Sequence, residues 1–394
     1  MKEDLWVIGG EQRVSFNQLQ EWNRFKAALV VRVRDGQAER VLEYQSPAEH
    51  CPETENPSQI FKAATVAGDK AYLCTLTEVL ECDFPSFEVR RVFSHPCFND
   101  LHHVLPAPDG RLFVAVTGLD AVAELSPDGE LMRLISVVDA SPWDRFSRDV
   151  DYRRVLTTKP HRSHPNHLFF LGDRLWVTRF EQRDAVPVPG VWLGDGPEPK
   201  PHKGNGNGQA HGNGADTPDA YQIEIEGVHD GHVLGDRLLF TAVNGHLIQF
   251  DVHTGSRLAL DLGQFRMPGT PDDDRPLGWC RGLLPVGDTR AWVGFTRIRY
   301  TRLRRNLSWI RHGFRETEHH RQRPTRIALY DLEEPALLQE IDLEEAGLGA
   351  LFSVHRAPRR AELAEGLSSE AGLVFAQHSH KEPHSDGCTA PRPT

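Results

Sequence analysis

One pattern of residues recurs five times along this chain and restricts what it can fold into. It consists of a short apolar run, a tight turn carrying Gly and Asp, a basic residue close behind, and a second apolar run. The copies are VAGDKAYLCT (66–75), PAPDGRLFVAV (106–116), FLGDRLWVTRF (170–180), VLGDRLLFTAV (233–243) and PVGDTRAWVGF (285–295). The basic residue falls at 70, 111, 174, 237 and 290, in steps of 41, 63, 63 and 53 residues. Paired apolar runs across such a turn are hairpins. A step near 40 residues fits a four-stranded propeller blade, and the longer steps must carry insertions.

Two more strands follow each pair, as in AVAELSPDGELMRLISV (121–137) and HLIQFDVHTGSRLALDLG (246–263). The strands are short, rich in Leu, Val and Phe and regularly spaced, with little helix. The chain is therefore read as all-β, a single radial array of hairpins. Five blades begin internally. The N-terminal runs LWVIGG (5–10), AALVVRV (27–33) and RVLEYQ (40–45) lack an inner strand of their own. Either ALFSVHR (350–356) or GLVFAQ (372–377) supplies it, which closes the ring and removes a free sheet edge. The expectation is six four-stranded blades, with five and seven as alternatives, over residues 1–377, and a disordered tail at 378–394.

Composition narrows the function classes. The net charge of −11 provides no overall basic field for nucleic acid. No apolar run approaches the ~18 residues of a membrane span, and the N-terminus lacks the basic and apolar regions of a secretion signal. The six cysteines are scattered without CxxC pairing, which reads as reduced thiols in a cytoplasmic protein. No GxSxG, P-loop or GxGxxG occurs in a suitable context.

Four long insertions are placed between strands: residues 11–26, 181–220 and 297–325 between the second and third strands of their blades, and 139–163 between blades. All would emerge on the face where the inner strands begin, the rim on which binding sites are commonly built. Ser141-Pro142-Trp143-Asp144 reads as a helix start, with a helix through Val155 covering the rim. Residues 194–219 are Gly-, Asn- and Pro-rich, and their His202 and His211 make a poor metal site. Residues 297–326 hold ten arginines against two glutamates, either a solvated lid or a clamp for an anionic ligand or partner.

The chemistry concentrates just before the inner strands. Their starts read FKAATV (61–66), NDLHHVLP (99–106), SHPNHLFF (163–170), GVHDGHVL (227–234), GWCRGLLP (278–285) and LFSVHRAP (351–358). Aligned on the turn, His103, His167, Asp230 and Gly282 are equivalent, and His102, Asn166, His229 and Arg281 precede them. Imidazoles and carboxylates at one channel mouth call for partners, either water in the channel or a bound metal. The metal reading assigns His103, His167 and His229 as ligands, with His355 from the closing strand, and Asn166 and His102 beside the ion. The ion is divalent, with iron, zinc, manganese and calcium equally open. Asp230 is then a base or an orienting group, His232 a further acid–base residue, and Arg281 an anchor for a carboxylate or phosphate. Read structurally, the same histidines bond backbone carbonyls or channel water. Cys280, beside Arg281, reads as either a nucleophile or a packed small side chain.

DGRLFVAV, GDRLWVTRF and GDRLLFTAVNGHLIQFDVHTG resemble blades of the six-bladed propellers related to gluconolactonase, strictosidine synthase and NHL-type repeats. HDGHVLGDRLLFTAVNGHLIQFD with GWCRGLLPVGD also resembles a bacterial group of uncharacterised propeller proteins. The resemblance covers roughly residues 60–350. Lactonases of that group hold a divalent metal through a Glu, Asn residues and an Asp. The resemblance matches Asn166 and Asp230 to that set and leaves the Glu without a counterpart. In composition alone, the histidine enrichment resembles propeller oxygenases that hold iron with four histidines, and propeller lyases that use His. The function expected is a metal-dependent hydrolase, lyase or oxygenase acting on a small molecule or peptide. The alternative is a non-catalytic binding module that uses the Arg-rich insertion.

Overall fold

The Gly-Asp turn works as the sequence suggests. In a computed structural model of the chain, Gly68, Gly172, Gly235 and Gly287 all adopt left-handed backbone, with φ between 56° and 63°. That conformation strains any residue with a Cβ and closes the hairpin in two residues at Gly68, Gly172 and Gly235 and in three at Gly287. The basic residue beyond the turn pairs across to the third strand, Lys70 with Glu81, Arg111 with Glu124 and Arg290 with Asp331. The structure describes residues 4–13, 20–194, 218–267, 275–298 and 322–356.

Six four-stranded antiparallel sheets result. Blade 1 joins β24 (Ala350–Arg356) to β1 (Leu5–Gln12), β2 (Phe25–Arg34) and β3 (Gln37–Tyr44). Blade 2 is β4 (Ala64–Ala67), β5 (Lys70–Cys74), β6 (Val79–Asp83) and β7 (Val89–Phe93). Blade 3 is β8 (Leu101–Pro106), β9 (Leu112–Val116), β10 (Ala121–Leu125) and β11 (Leu131–Ser136). Blade 4 is β12 (Pro165–Leu171), β13 (Arg174–Arg179), β14 (Asp184–Trp192) and β15 (Tyr221–Gln222). Blade 5 is β16 (His232–Leu234), β17 (Arg237–Ala242), β18 (His246–Asp251) and β19 (Arg257–Asp261). Blade 6 is β20 (Trp279–Val286), β21 (Arg290–Thr296), β22 (Arg326–Asp331) and β23 (Ala336–Asp342).

The ring closes through residues 350–356. Strand β24 pairs antiparallel with β1, Val7 opposite Val354 and Trp6 opposite His355, so both chain ends share one blade. The other candidate for closure, 372–377, lies outside the described residues, as does the tail. The inner strands β24, β4, β8, β12, β16 and β20 touch in that order around the axis.

Between neighbouring blades lies a separate apolar cluster. Trp6, Val30, Phe61 and Leu73 fill the interface of blades 1 and 2, and Phe113, Leu168 and Phe170 that of blades 3 and 4. Phe169, Trp176, Phe240 and Phe250 fill that of blades 4 and 5. Each blade buries both faces, so its strands read as nearly continuous apolar runs rather than as alternation.

Two expectations about the insertions are corrected. The helix expected over 141–155 is reduced to 3₁₀ turns at Pro142–Asp144 and Tyr152–Arg154. The Ser141 cap forms as read, its side chain accepting from the Trp143 N–H while the Ser141 N–H reaches Asp144 Oδ2 at 3.1 Å. The helix stops because Trp143, Phe146, Tyr152 and Val155 all pack down onto the core of blades 2 and 3, a spacing no single helix face provides. The segment 181–220 does not separate the second and third strands of blade 4. Arg183 turns in left-handed backbone (φ 59°) and β14 follows at once; the insertion comes after β14 and leaves on the opposite face from the mouth. The Pro-containing run VPVPGVW hid that strand, because prolines inside an apolar run argue against one. Insertions 11–26 and 297–325 do separate second and third strands, as expected, although residues 14–19 and 299–321 lie outside the described residues.

Candidate functional site at the tunnel mouth

The starts of the inner strands are irregular in a shared way. The register of β8 slips between Leu101 and His103, that of β12 between Pro165 and Leu168, that of β20 between Arg281 and Leu283, and that of β24 between Leu351 and Ser353. Each slip is a β-bulge, which inserts one residue and re-aims its neighbours. Polar side chains on an otherwise apolar strand are turned toward the axis in this way.

The bulged starts build two tiers. The outer tier holds Lys62, His102, His164, Asn166, His229, Arg281 and Phe352. His102 and His229 lie with ring centroids 6.0 Å apart, and His164 meets His102 edge-on at 4.9 Å. Lys62 Nζ lies 3.1 Å from His102 Nε2 and 3.1 Å from Asp100 Oδ1. Burial opposes ionisation of Asp100, but Lys62 and His102 overcome it and hold the carboxyl well below its usual range. Burial first, and Lys62 second, push His102 down to about 3, so its imidazole is neutral.

The inner tier holds His103, His167, His232 and His355. His103 and His167 stack at 3.8 Å, and His232 follows at 5.0 Å from His167. Leu168 N–H donates to His103 Nδ1 at 3.0 Å. The Thr65 hydroxyl donates to the Val104 carbonyl at 2.7 Å, so it accepts from His103 Nε2 at 3.1 Å. His103 is thus a neutral Nε2–H tautomer with both ring nitrogens engaged. Its lone pair is committed to a backbone amide, which leaves nothing to offer a metal. Burial pushes both His103 and His355 down to about 3, and holds His167 well below its ordinary value.

Asp230 and His229 form a dyad between the tiers. The Thr241 hydroxyl and the Gly282 N–H, the latter at 2.8 Å, both donate to Asp230 Oδ2. Gly282 stands at φ +80°, and a Cβ there would sit 3.3 Å from the Ser353 backbone, so only glycine brings its amide to the carboxylate without strain. The remaining oxygen, Oδ1, faces His229 Nδ1 at 3.7 Å, an ion-pair distance rather than a hydrogen bond. Neither ring nitrogen of His229 has a hydrogen-bond partner, and the residue is 4% exposed. Burial and Arg281 lower His229 against the pull of Asp230.

Arg281 is 8% exposed, and no carboxylate among the described residues lies within ion-pairing distance. Asp230 faces His229 instead, and Asp100 is taken by Lys62. Its guanidinium carbon lies 4.4 Å from the Phe352 ring centroid and 5.2 Å from that of Trp279. Burial lowers it to about 10. Asn166 Nδ2 donates to the Val228 carbonyl at 2.8 Å, and its Oδ1 is buried without a partner.

The expected residues therefore meet, but in two tiers rather than as one ligand set. Among the described residues no three His, Cys, Asp or Glu side chains converge as a metal site. As bonded here, His103 offers no lone pair to the ion expected on His103, His167 and His229. Burial raises the Cys280 thiol well above its usual range, in a core with Leu239, Phe295 and Tyr330, which is the packed side chain of the two readings. The described arginines flanking 299–321 already have partners, Arg297 with Glu344 and Arg323 and Arg326 with Glu340. The anionic ligand expected at 297–326 and Arg302, Arg304 and Arg305 fall mostly outside the described residues. Sequence reasoning passed over Lys62, His164, Trp279 and Phe352. Lys62 carried a usable signal, a lone lysine at the aligned position of FKAATV between two apolar neighbours.

No protein-family model matches the sequence, and no curated protein matches it. Solved structures match by shape. A protein of unknown function from Bacteroides caccae aligns with a TM-score of 0.50 at 9% identity, over 90% of this chain and 98% of that one. A streptogramin B lyase gives 0.40 at 11% identity, over 86% and 88%. Virginiamycin B lyase from Staphylococcus aureus with quinupristin gives 0.40 at 11%, over 87% and 89%. At such identities the likeness extends to the propeller arrangement alone. No helix among the described residues is long and apolar enough to cross a membrane.

Proposed function

We propose that the tunnel mouth is an active site for acid–base chemistry on a small molecule or peptide, with His229 as the proton-transferring group. The observation that carries this reading is a buried imidazole with neither nitrogen bonded to protein, beside a carboxylate that is itself fixed. A structural histidine satisfies its nitrogens, as His103 does; His229 leaves both open. Asp230 acts as the positioning residue. Thr241 and Gly282 hold one of its oxygens, so the other faces Nδ1, which leaves the Nε2 lone pair as the one that takes the proton. The loose 3.7 Å contact is of a kind that tightens when substrate excludes water. On the other side, neutral His102 with Lys62 and Asp100 supplies a second proton-handling group. A base and an acid on opposite sides of a closed mouth serve elimination and hydrolysis equally.

The test is substrate-blind. Purified protein is incubated with a pool of cellular small molecules and peptides, and depletion is followed by mass spectrometry. The wild type is expected to consume a defined set of species that His229→Ala leaves untouched and Asp230→Asn consumes at least about tenfold more slowly. Depletion that persists in His229→Ala overturns the assignment. Elemental analysis of the same preparations separates a metal-dependent route. Near-stoichiometric metal lost on His167→Ala would restore the ligand roles expected of the histidines.

A further inference from the structure

The outer tier holds one cation that no carboxylate touches. Lys62 has Asp100 at 3.1 Å, and Asp230 has the donors of Thr241 and Gly282 with His229 opposite. Arg281 has no carboxylate within ion-pairing distance among the described residues, and Asp230 acts on it only through space. A guanidinium more than nine-tenths buried is costly without one, since desolvation falls on the charged form. Its Nε is sealed from water and unbonded, whereas its terminal nitrogens have no acceptor among the described residues and are not sealed. Beside it Trp279, at the start of β20, is 43% exposed, an unusual state for a large ring next to a buried cation. Phe352 completes the surround.

We propose that the mouth binds a monoanionic carboxylate carrying an apolar or aromatic ring, the carboxylate on Arg281 and the ring against Trp279. One guanidinium edge without a bonded acceptor calls for one anionic group. A phosphate dianion would bring a second charge within reach of the Asp100 and Asp230 carboxylates. The guanidinium edge suits two coplanar oxygens, which is carboxylate geometry. This inference names the substrate class of the site proposed above and rests on that reading for the ligand's being a substrate. The binding itself stands independently.

Ligand-observed NMR on the intact protein, with benzoate, benzamide, acetate and inorganic phosphate as probes, tests it. Benzoate is expected to bind at least about tenfold more tightly than its neutral isostere benzamide, and more tightly than acetate or phosphate. Arg281→Gln is expected to lose that preference. Trp279→Ala, at an exposed position that threatens no core, is expected to bring benzoate down to the level of acetate. Benzoate no better than benzamide, phosphate equal to benzoate, binding unchanged in both variants, or no probe bound would each overturn the proposal. His229→Ala keeps benzoate binding whether or not it abolishes turnover, so failure of the catalytic reading is told apart from failure of this one.

Discussion

Acidification offers a sharp test of the two-tiered histidine cluster. Folded His102, His103 and His355 titrate near 3, pushed there first by burial, whereas an unfolded histidine titrates near 6.5. The unfolded state therefore binds protons that the folded state refuses. Stability is fully present above about pH 6.5 and is lost as pH falls from there toward 3. Each group costs about 1.36 kcal/mol per pH unit across that window, so the three together cost about 6 kcal/mol between pH 6.5 and pH 5. His164, His167, His229 and His232 shift in the same direction and add to the loss. A domain's whole stability is about 5–15 kcal/mol, so the propeller is expected to unfold on mild acidification. Urea titrations followed by tryptophan fluorescence at pH 7, 6 and 5 would measure the slope. The expected slope between pH 6 and 5 corresponds to uptake of at least about three protons, with His355→Gln lowering it by about one. A slope below one proton would refute the reasoning, because it would mean the cluster is already hydrated or charged in the folded state.

Three further outcomes follow from packing and closure. Trp176→Ala opens a cavity against Phe169 and Tyr221 and is expected to cost about 3–5 kcal/mol, read as a lower urea midpoint at unchanged slope. Gly282→Ala forces a Cβ onto a left-handed position beside Ser353, at a cost of about 1–2 kcal/mol, and disturbs the amide that holds Asp230. Its distinguishing readout is an altered His229 titration by NMR. Deleting Ala350–Arg356 removes the inner strand of blade 1 and strips Leu351 and Val354 from the seam with blade 6, so the truncated chain is expected to lack a cooperative thermal transition.

How much of this was legible in the sequence follows from which interactions are local. The Gly-Asp turns fix hairpins within ten residues, so all five internal hairpins were visible, and a missing inner strand in the first blade pointed to closure by the C-terminal one. The insertion in blade 4 was misplaced because the strand signal of β14 is interrupted by Pro187 and Pro189, which the sheet tolerates beside a register slip opposite Arg174 and Trp176. The helix at 141 was overextended because a cap specifies where a helix starts, while its length is decided by the tertiary surface receiving Phe146 and Tyr152.

The candidate site shows the same division at finer scale. Alignment on the turns brought His102, His103, Asn166, His167, His229, Asp230 and Arg281 to one mouth, because an inner strand has few ways to run. Their roles were not readable, since role depends on which partners a bulge turns toward each side chain. His102 and His103 are neighbours in sequence and identical in type. One rests against Lys62 in the outer tier; the other spends both nitrogens on Leu168 and Thr65 in the inner one. His229 and Asp230, equally adjacent, become a dyad because Gly282 from the next blade reaches across to hold the carboxylate. The setting of each side chain at this mouth is thus decided by contacts between blades, each being defined by the strand beside its own. Substitutions at Thr65, Thr241 and Gly282, none of them a proton carrier, should therefore retune the histidines as effectively as changes to the histidines themselves.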